Sequence, residues 1–217
     1  MKQFVCKPTI HMFPTCKDFL AGFDIGEEDL VLSNAYIFKP FFDGLDCRAK
    51  ALFLENYGQG EPSDTMVDAL LAAASRYDFR RIIAIGGGSP IDTGKSAAIL
   101  LRHPGKTARE LFSQGFTPEG ALPIVAVNLT HGTGTEVNRF AVLSIPETEQ
   151  KPVIAFDCIY PTWSIDDPAL MTGLSKEQTR FVSIDAVNHA IEAATSKSTN
   201  PLAVMLGKNT IELVVRY

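Results

Sequence analysis

The segment RIIAIGGGSPIDTGKSAA (81–98) constrains this chain more than any other. Ile82 to Ile85 is an unbroken apolar run, so a strand built from it is covered on both faces. Gly86, Gly87 and Gly88 end the run, and a helical pattern from Pro90 to Leu101 follows at once. A strand that turns so quickly into a helix belongs to a βαβ unit, whose next strand runs parallel to the first. Ser89 is expected as the helix N-cap, with Pro90 at the first helical position and Asp92 closing a Ser-x-x-Asp box. The free N–H groups and dipole of such a start favour an anion, the dipole alone contributing roughly 0.3–1 kcal/mol. A glycine-rich strand-to-helix turn with no ligand is the plainer alternative. The pattern is also not the dinucleotide fingerprint GxGxxG: Gly86 and Gly88 fit its first two glycines, but Ile91 stands at the third.

The rest of the chain repeats the alternation. DLVLS (29–33), AKALFLE (49–55), PIVAVN (123–128), FAVLSI (140–145) and PTWSID (161–166) read as strands. Between them, Ser63 to Arg76 places Met66, Val67, Leu70, Leu71 and Ala74 at helical spacing. This order predicts an α/β fold with a parallel sheet. Past Asp167-Pro168 the pattern turns helical. One helix starts at Ser175, a turn covers Ser198–Pro201, and a second helix ends the chain among Ile211, Leu213, Val214 and Val215. The expected organisation is an α/β domain over residues 1–168 and the beginning of an all-helical domain over 169–217.

Two further constellations carry chemistry. A second glycine- and hydroxyl-rich loop, Thr130-His131-Gly132-Thr133-Gly134-Thr135-Glu136, follows the strand PIVAVN. Two such loops at the ends of neighbouring parallel strands suggest one shared crevice and favour a nucleotide over two unrelated turns. Asp185 and His189 stand four residues apart in a helical pattern, so they share a face with Val182, Ala186 and Ala190. On an apolar face such groups must be paired or metal-bound. Oxygen and imidazole suit iron(II) or zinc, but an i,i+4 Asp/His pair is also a common helix hydrogen bond.

Composition narrows the partners. The chain has 217 residues, 46% hydrophobic and 21% charged, with a net charge of -5 and no Lys/Arg run. This argues against nucleic acid and anionic membranes as partners. No apolar run is long enough to span a bilayer, and the start MKQFVCKPTI lacks the apolar core of a secretory leader. Cys6, Cys16, Cys47 and Cys158 are scattered and read as reduced thiols, so a cytoplasmic location is expected.

The motifs IGGGSPIDTGKSAA, THGTGTEVN, DDPALMTGLS and SIDAVNHAIEA together resemble the iron-containing alcohol dehydrogenase family, in its order and spacing and over essentially the whole chain. LSNAYIFKPFF and NYGQGEPSDTMVDALL most resemble members acting on 4-hydroxybutyrate and succinate semialdehyde. The resemblance implies a dehydroquinate synthase-like architecture and hydride transfer between a nicotinamide cofactor and a primary alcohol or aldehyde. It places Gly87, Gly88 and Ser89 at the cofactor pyrophosphate and Asp92 near the nicotinamide. Thr130 and the loop Gly132 to Gly134, Thr133 included, lie along the cofactor's other side, and Lys151 lies at a ribose. Asp185 and His189 match the first two ligands of a divalent metal, Fe(II) or Zn. The resemblance thereby assigns cofactor binding to the domain over 1–168 and metal binding to the one over 169–217.

The chain also departs from the family pattern. Asn34 stands where many members carry Asp, which removes a charge that would repel a 2′-phosphate. NAD is expected, with NADP left open. His131 and Thr135 replace a small residue and Ser, and Gly94 replaces Ala. No histidine follows His189, so two expected metal ligands are missing from these 217 residues, which by themselves are expected to be inactive. A non-catalytic nucleotide-binding fragment, or a related dehydrogenase with a neutral alcohol or diol, are the alternatives. Arg139, His131 or both are candidates to face the cleft as partners for a substrate carboxylate; the alternatives are that Arg139 is a solvated surface charge, or that the carboxylate partner lies in the helical domain. Self-association is left open.

Overall fold

The apolar runs form strands because a parallel sheet sandwiched by helices offers them two dry faces. The computed structural model describes residues 6–13, 16–42 and 47–217. Residues 1–5, part of the segment read for a secretory leader, lie outside the described residues. The strands are β1 (Thr9–His11), β2 (Asp29–Ser33), β3 (Lys50–Phe53), β4 (Arg81–Gly86), β5 (Ile124–Asn128), β6 (Phe140–Val142), β7 (Val153–Ala155) and β8 (Trp163–Ile165). The helices are α1 (Cys16–Phe23), α2 (Ala35–Phe42), α3 (Asp64–Ala74), α4 (Gly88–Leu100), α5 (Ala108–Phe112), α6 (Lys176–Thr195) and α7 (Pro201–Arg216). Six strands make one all-parallel sheet in the order β1-β8-β5-β4-β2-β3.

Alternate residues of the strands feed two cores. Leu30, Leu32, Ile82 and Ile124 pack with Leu70 of α3, Ile99 of α4 and Leu111 of α5. Val31, Ile83, Val125, Val127 and Ile165 pack on the opposite face with Phe19 of α1 and Ile37 of α2. Ser63 caps α3 by accepting from the Met66 N–H. Small residues bring α4 unusually close to the sheet. A Cβ built on Gly94 would lie 2.8 Å from the Ala84 Cβ, on a strand position with no solvent exposure.

The segment FAVLSI departs from its expected strand. Only Phe140–Val142 is extended, and it pairs antiparallel with β7 in a separate two-stranded ribbon. Ser144 instead bridges Ser63, and Leu143 and Ile145 are buried against the first core before Pro146 turns the chain. β1 was not anticipated, because a three-residue edge strand has no period to detect. After β8 come α6, capped by Ser175, and α7, capped by Asn200. The two helices fold back on each other around Gly207, where a Cβ would stand 3.1 Å from the Ala190 carbonyl oxygen. Phe181, Ile184, Met205 and Leu213 remain exposed on this pair. Among the described residues, no helix is long and apolar enough to cross a membrane.

Candidate functional site

The sheet order reverses between β2 and β4. From β2 the chain moves outward to β3, then returns to β4 on the other flank of β2. Loops leaving the C-terminal ends of β2 and β4 must therefore diverge, and the gap between them is where open α/β sheets take ligands. A cavity of about 840 Å³ occupies that gap. Asn34 after β2, Gly87, Gly88 and Ser89 after β4, and Thr130 and Thr133 after β5 line one side. Leu170, Phe181, Val182 and Asp185 face them.

The glycine turn starts its helix earlier than the sequence pattern suggested. Gly87 is the N-cap, with no side-chain capping bond, and Gly88 is the first helical residue. Ser89 and Pro90 therefore lie inside the first turn. The cause is Gly86, the last residue of β4, whose φ of +148° turns the chain within the strand end itself. The expected serine cap and Ser-x-x-Asp box do not form. The first-turn N–H groups of Gly88 and Ser89 consequently have no capping side chain, which leaves them available to an anion in the cavity. Gly87 and Gly88 also interlock with the second loop. A Cβ on Gly87 would stand 2.8 Å from Thr130 Cγ2, and one on Gly88 3.0 Å from Thr133 Cγ2.

Asp92 bonds the second loop and β6 and makes no capping bond to the helix start. It accepts from the Thr135 hydroxyl at 2.5 Å and the Val142 N–H at 3.0 Å. Burial pushes its carboxyl up, against the pull of these bonds and of Lys95. Lys95 is fully buried beneath the second loop. Its ammonium donates to the Thr135 carbonyl oxygen and hydroxyl, both at 2.7 Å, to Phe140 O at 2.7 Å and to Asn138 Oδ1 at 3.1 Å. Burial lowers its pKa to about 8. Glu136 is 7% exposed, Oε2 has no partner, and burial raises its pKa to about 7. Sequence reasoning missed both residues. The available signal was a lysine followed closely by Ala97, Ala98 and Ile99, in a helix with no other Lys, Arg or Glu.

At the β2 end, Asn34 Nδ2 donates to Glu55 Oε2 at 2.9 Å, and the Ala35 N–H donates to Glu55 Oε1 at 2.6 Å. Glu55 comes from the short turn Leu54–Asn56 after β3, and it too was missed. Burial tends to raise its carboxyl, but bonds from its own N–H, Ala35 and Asn34, with nearby Lys39, outweigh that and hold it below the ordinary glutamate range. Lys151 lies on the other flank of the glycine turn. It pairs with Glu61 at 2.7 Å and lines a smaller cavity of about 240 Å³ with Gly88, Ser89, Asp92 and Thr133.

Asp185 and His189 do share one face of α6, with His189 Nε2 3.4 Å from Asp185 Oδ1. His189 Nδ1 also approaches Glu192 Oε2 at 3.5 Å. Their side chains are 40% and 51% exposed, so the argument from an apolar face does not hold. Among the described residues no three His, Cys, Asp or Glu side chains converge to hold a metal. Asp185 and His189 offer one carboxylate and one imidazole, chemically suited to a divalent ion, and Asp185 lines the large cavity. Arg139 is not at the cleft. It pairs with Asp157 at 2.5 Å, and Lys7 pairs with the same carboxylate at 2.7 Å. His131 bonds Ser183 Oγ at 2.9 Å and lines a separate hollow against α6 and α7.

The arrangement is that of a doubly wound α/β protein with a ligand crevice at its topological switch point. Its sequence settles the family: the profile of iron-containing alcohol dehydrogenases matches residues 28–168, and the chain belongs to that family. A long-chain primary alcohol dehydrogenase of Thermoanaerobacter ethanolicus is 54% identical over 156 residues, 72% of this chain and 39% of its own length. A 4-hydroxybutyrate dehydrogenase of Clostridium kluyveri is 34% identical over 221 residues, 99% of this chain and 57% of its own length. The chain thus spans roughly two-fifths to three-fifths of these relatives. The solved sulfoacetaldehyde reductase of Bifidobacterium kashiwanohense, in complex with NAD+, shares the fold with a TM-score of 0.85 and 23% identity, over 100% of this chain and 59% of that one.

Proposed function

We propose that this chain builds the cofactor-binding part of an oxidoreductase that moves hydride between a nicotinamide cofactor and a primary alcohol or aldehyde. The observation that carries this is the crevice itself, which runs from an uncapped glycine turn to the carboxylate of Asp185. In this reading the N–H groups of Gly88 and Ser89 take the pyrophosphate, with Gly87 allowing its approach. Thr130 and Thr133 form the facing wall, Asn34 meets the adenosine ribose, and Lys151 approaches from the other flank. Asp92 acts indirectly, by fixing Thr135. Residues 1–168 form the cofactor domain and 169–217 open a helical domain in which Asp185 and His189 would hold Fe(II) or Zn. A metal bound there supplies Lewis-acid polarisation of the substrate oxygen. NAD is the expected dinucleotide.

Two substrates are supported by different observations. Similarity along 99% of the chain to a 4-hydroxybutyrate dehydrogenase supports 4-hydroxybutyrate and succinate semialdehyde. A neutral primary alcohol is favoured by the 54% identity to a long-chain primary alcohol dehydrogenase. No Lys or Arg is among the described residues lining the large cavity, and Arg139 is committed to Asp157. A competition assay on the intact, metal-loaded protein with NADH, succinate semialdehyde and hexanal tests both. The 4-hydroxybutyrate assignment expects at least about tenfold higher kcat/KM for the semialdehyde, which is about 1.4 kcal/mol of transition-state binding. Preference for hexanal selects the neutral substrate, and turnover of neither aldehyde refutes the oxidoreductase reading.

A further inference from the structure

The strand beside the glycine-turn strand is where doubly wound folds place the acid that separates NAD from NADP. That acid accepts from the ribose 2′-hydroxyl and repels a 2′-phosphate. Here that strand is β2, and the residue just past its C-terminal end is the neutral Asn34, which lines the crevice. Judged on position 34 alone, the site has no charge with which to discriminate.

The next strand supplies one. Glu55 follows β3, the outer neighbour of β2, and reaches back to Asn34 at 2.9 Å and the Ala35 N–H at 2.6 Å. A carboxylate cannot donate, so the Asn34 amide must turn Nδ2 toward Glu55. Its Oδ1 is thereby left as an acceptor, suited to a hydroxyl and unsuited to a phosphate oxygen. We propose that Glu55, acting directly by its charge and through the orientation it imposes on Asn34, makes this crevice select a dinucleotide with a free 2′-hydroxyl over one with a 2′-phosphate. The inference rests on the dinucleotide reading above. The cation to be overcome is Lys39, one helical turn past Ala35, whose charge also reaches Glu55.

The variant Glu55→Gln tests this without removing the helix contact, because the glutamine carbonyl can still accept from the Ala35 N–H. It removes the charge and lets the Asn34 amide rotate. NADH and NADPH are titrated by fluorescence at fixed salt into the intact protein. The parent is expected to prefer NADH by at least about tenfold, a modest ratio because the carboxylate is exposed and screened. Glu55→Gln is expected to bring the two affinities within about threefold, mainly by tightening NADPH. Adding Asn34→Asp to Glu55→Gln should restore the preference, because the lost negative charge is then supplied at position 34. Equal binding of both dinucleotides by the parent, or an unchanged ratio in Glu55→Gln, overturns the proposal while leaving the cofactor reading intact. Binding of neither dinucleotide by the parent overturns both.

Discussion

Glu136 is the residue whose chemistry most exceeds what packing requires. It is buried, one carboxylate oxygen has no partner, and Asp166 adds a repulsive charge nearby. The folded protein holds this proton to about pH 7, whereas an ordinary glutamate releases it near 4.5. Between those values the folded state binds more protons than the unfolded one, so stability falls as pH rises through the window. The full cost, on the order of 3 kcal/mol, is in place above pH 7. Urea denaturation at pH 5 and pH 8 should therefore show the parent weaker at pH 8. Glu136→Gln should lose most of that difference and exceed the parent at pH 8. A pH-dependence unchanged in the variant would assign the slope to another group. None of this is visible in the string THGTGTE, where Glu136 reads as a solvated loop acid. The residues named from the pattern, Gly87, Gly88, Thr130 and Thr133, do meet at one crevice. The charged groups around it, Lys95, Glu55 and Glu136, owe their behaviour to burial and to partners that include groups 20 to 45 positions away.

The close seat of α4 on the sheet explains a departure from the family pattern at the scale of an element. Gly94 faces Ala84 of β4 with no room for a methyl group. The third glycine of a dinucleotide fingerprint exists for such helix–strand contact. In this chain the contact falls at Gly94 instead of Ile91, which is why the short motif fails although the geometry is met. Gly94→Ala is expected to cost about 1–3 kcal/mol by overpacking. Ala84→Gly in the same chain should recover part of it, since it vacates the contacted carbon. Thermal melts of the two variants and their combination check this, and additive losses would mean that the two positions do not touch. The main sheet was legible because unbroken apolar runs joined by helical periods leave little else to build. The β7 strand, the separate antiparallel pairing of β6 and the α4 cap were not, because an apolar run does not name its partner strand and a glycine with positive φ shifts a helix start without changing the residue pattern.

For the whole molecule, the two donors on α6 set an expectation about metal. Catalytic zinc sites commonly use three protein ligands, and Asp185 with His189 supplies two. The 217 residues by themselves are expected to retain well under about one equivalent of iron or zinc after dialysis against a weak chelator. Plasma emission analysis decides this, and stoichiometric metal would require a third donor from elsewhere in the chain. The crevice proposed for the cofactor stands differently, because the residues that line it belong to the chain described here. Lys95 anchors the Thr135 end of the second loop from below, through four acceptors spread over Thr135, Asn138 and Phe140. A free loop of glycines and threonines would lose about 1–2 kcal/mol of backbone entropy per residue on being ordered by a ligand. With the loop already anchored when the protein folds, that loss falls on folding, and what a dinucleotide gains from the crevice shows directly in its affinity.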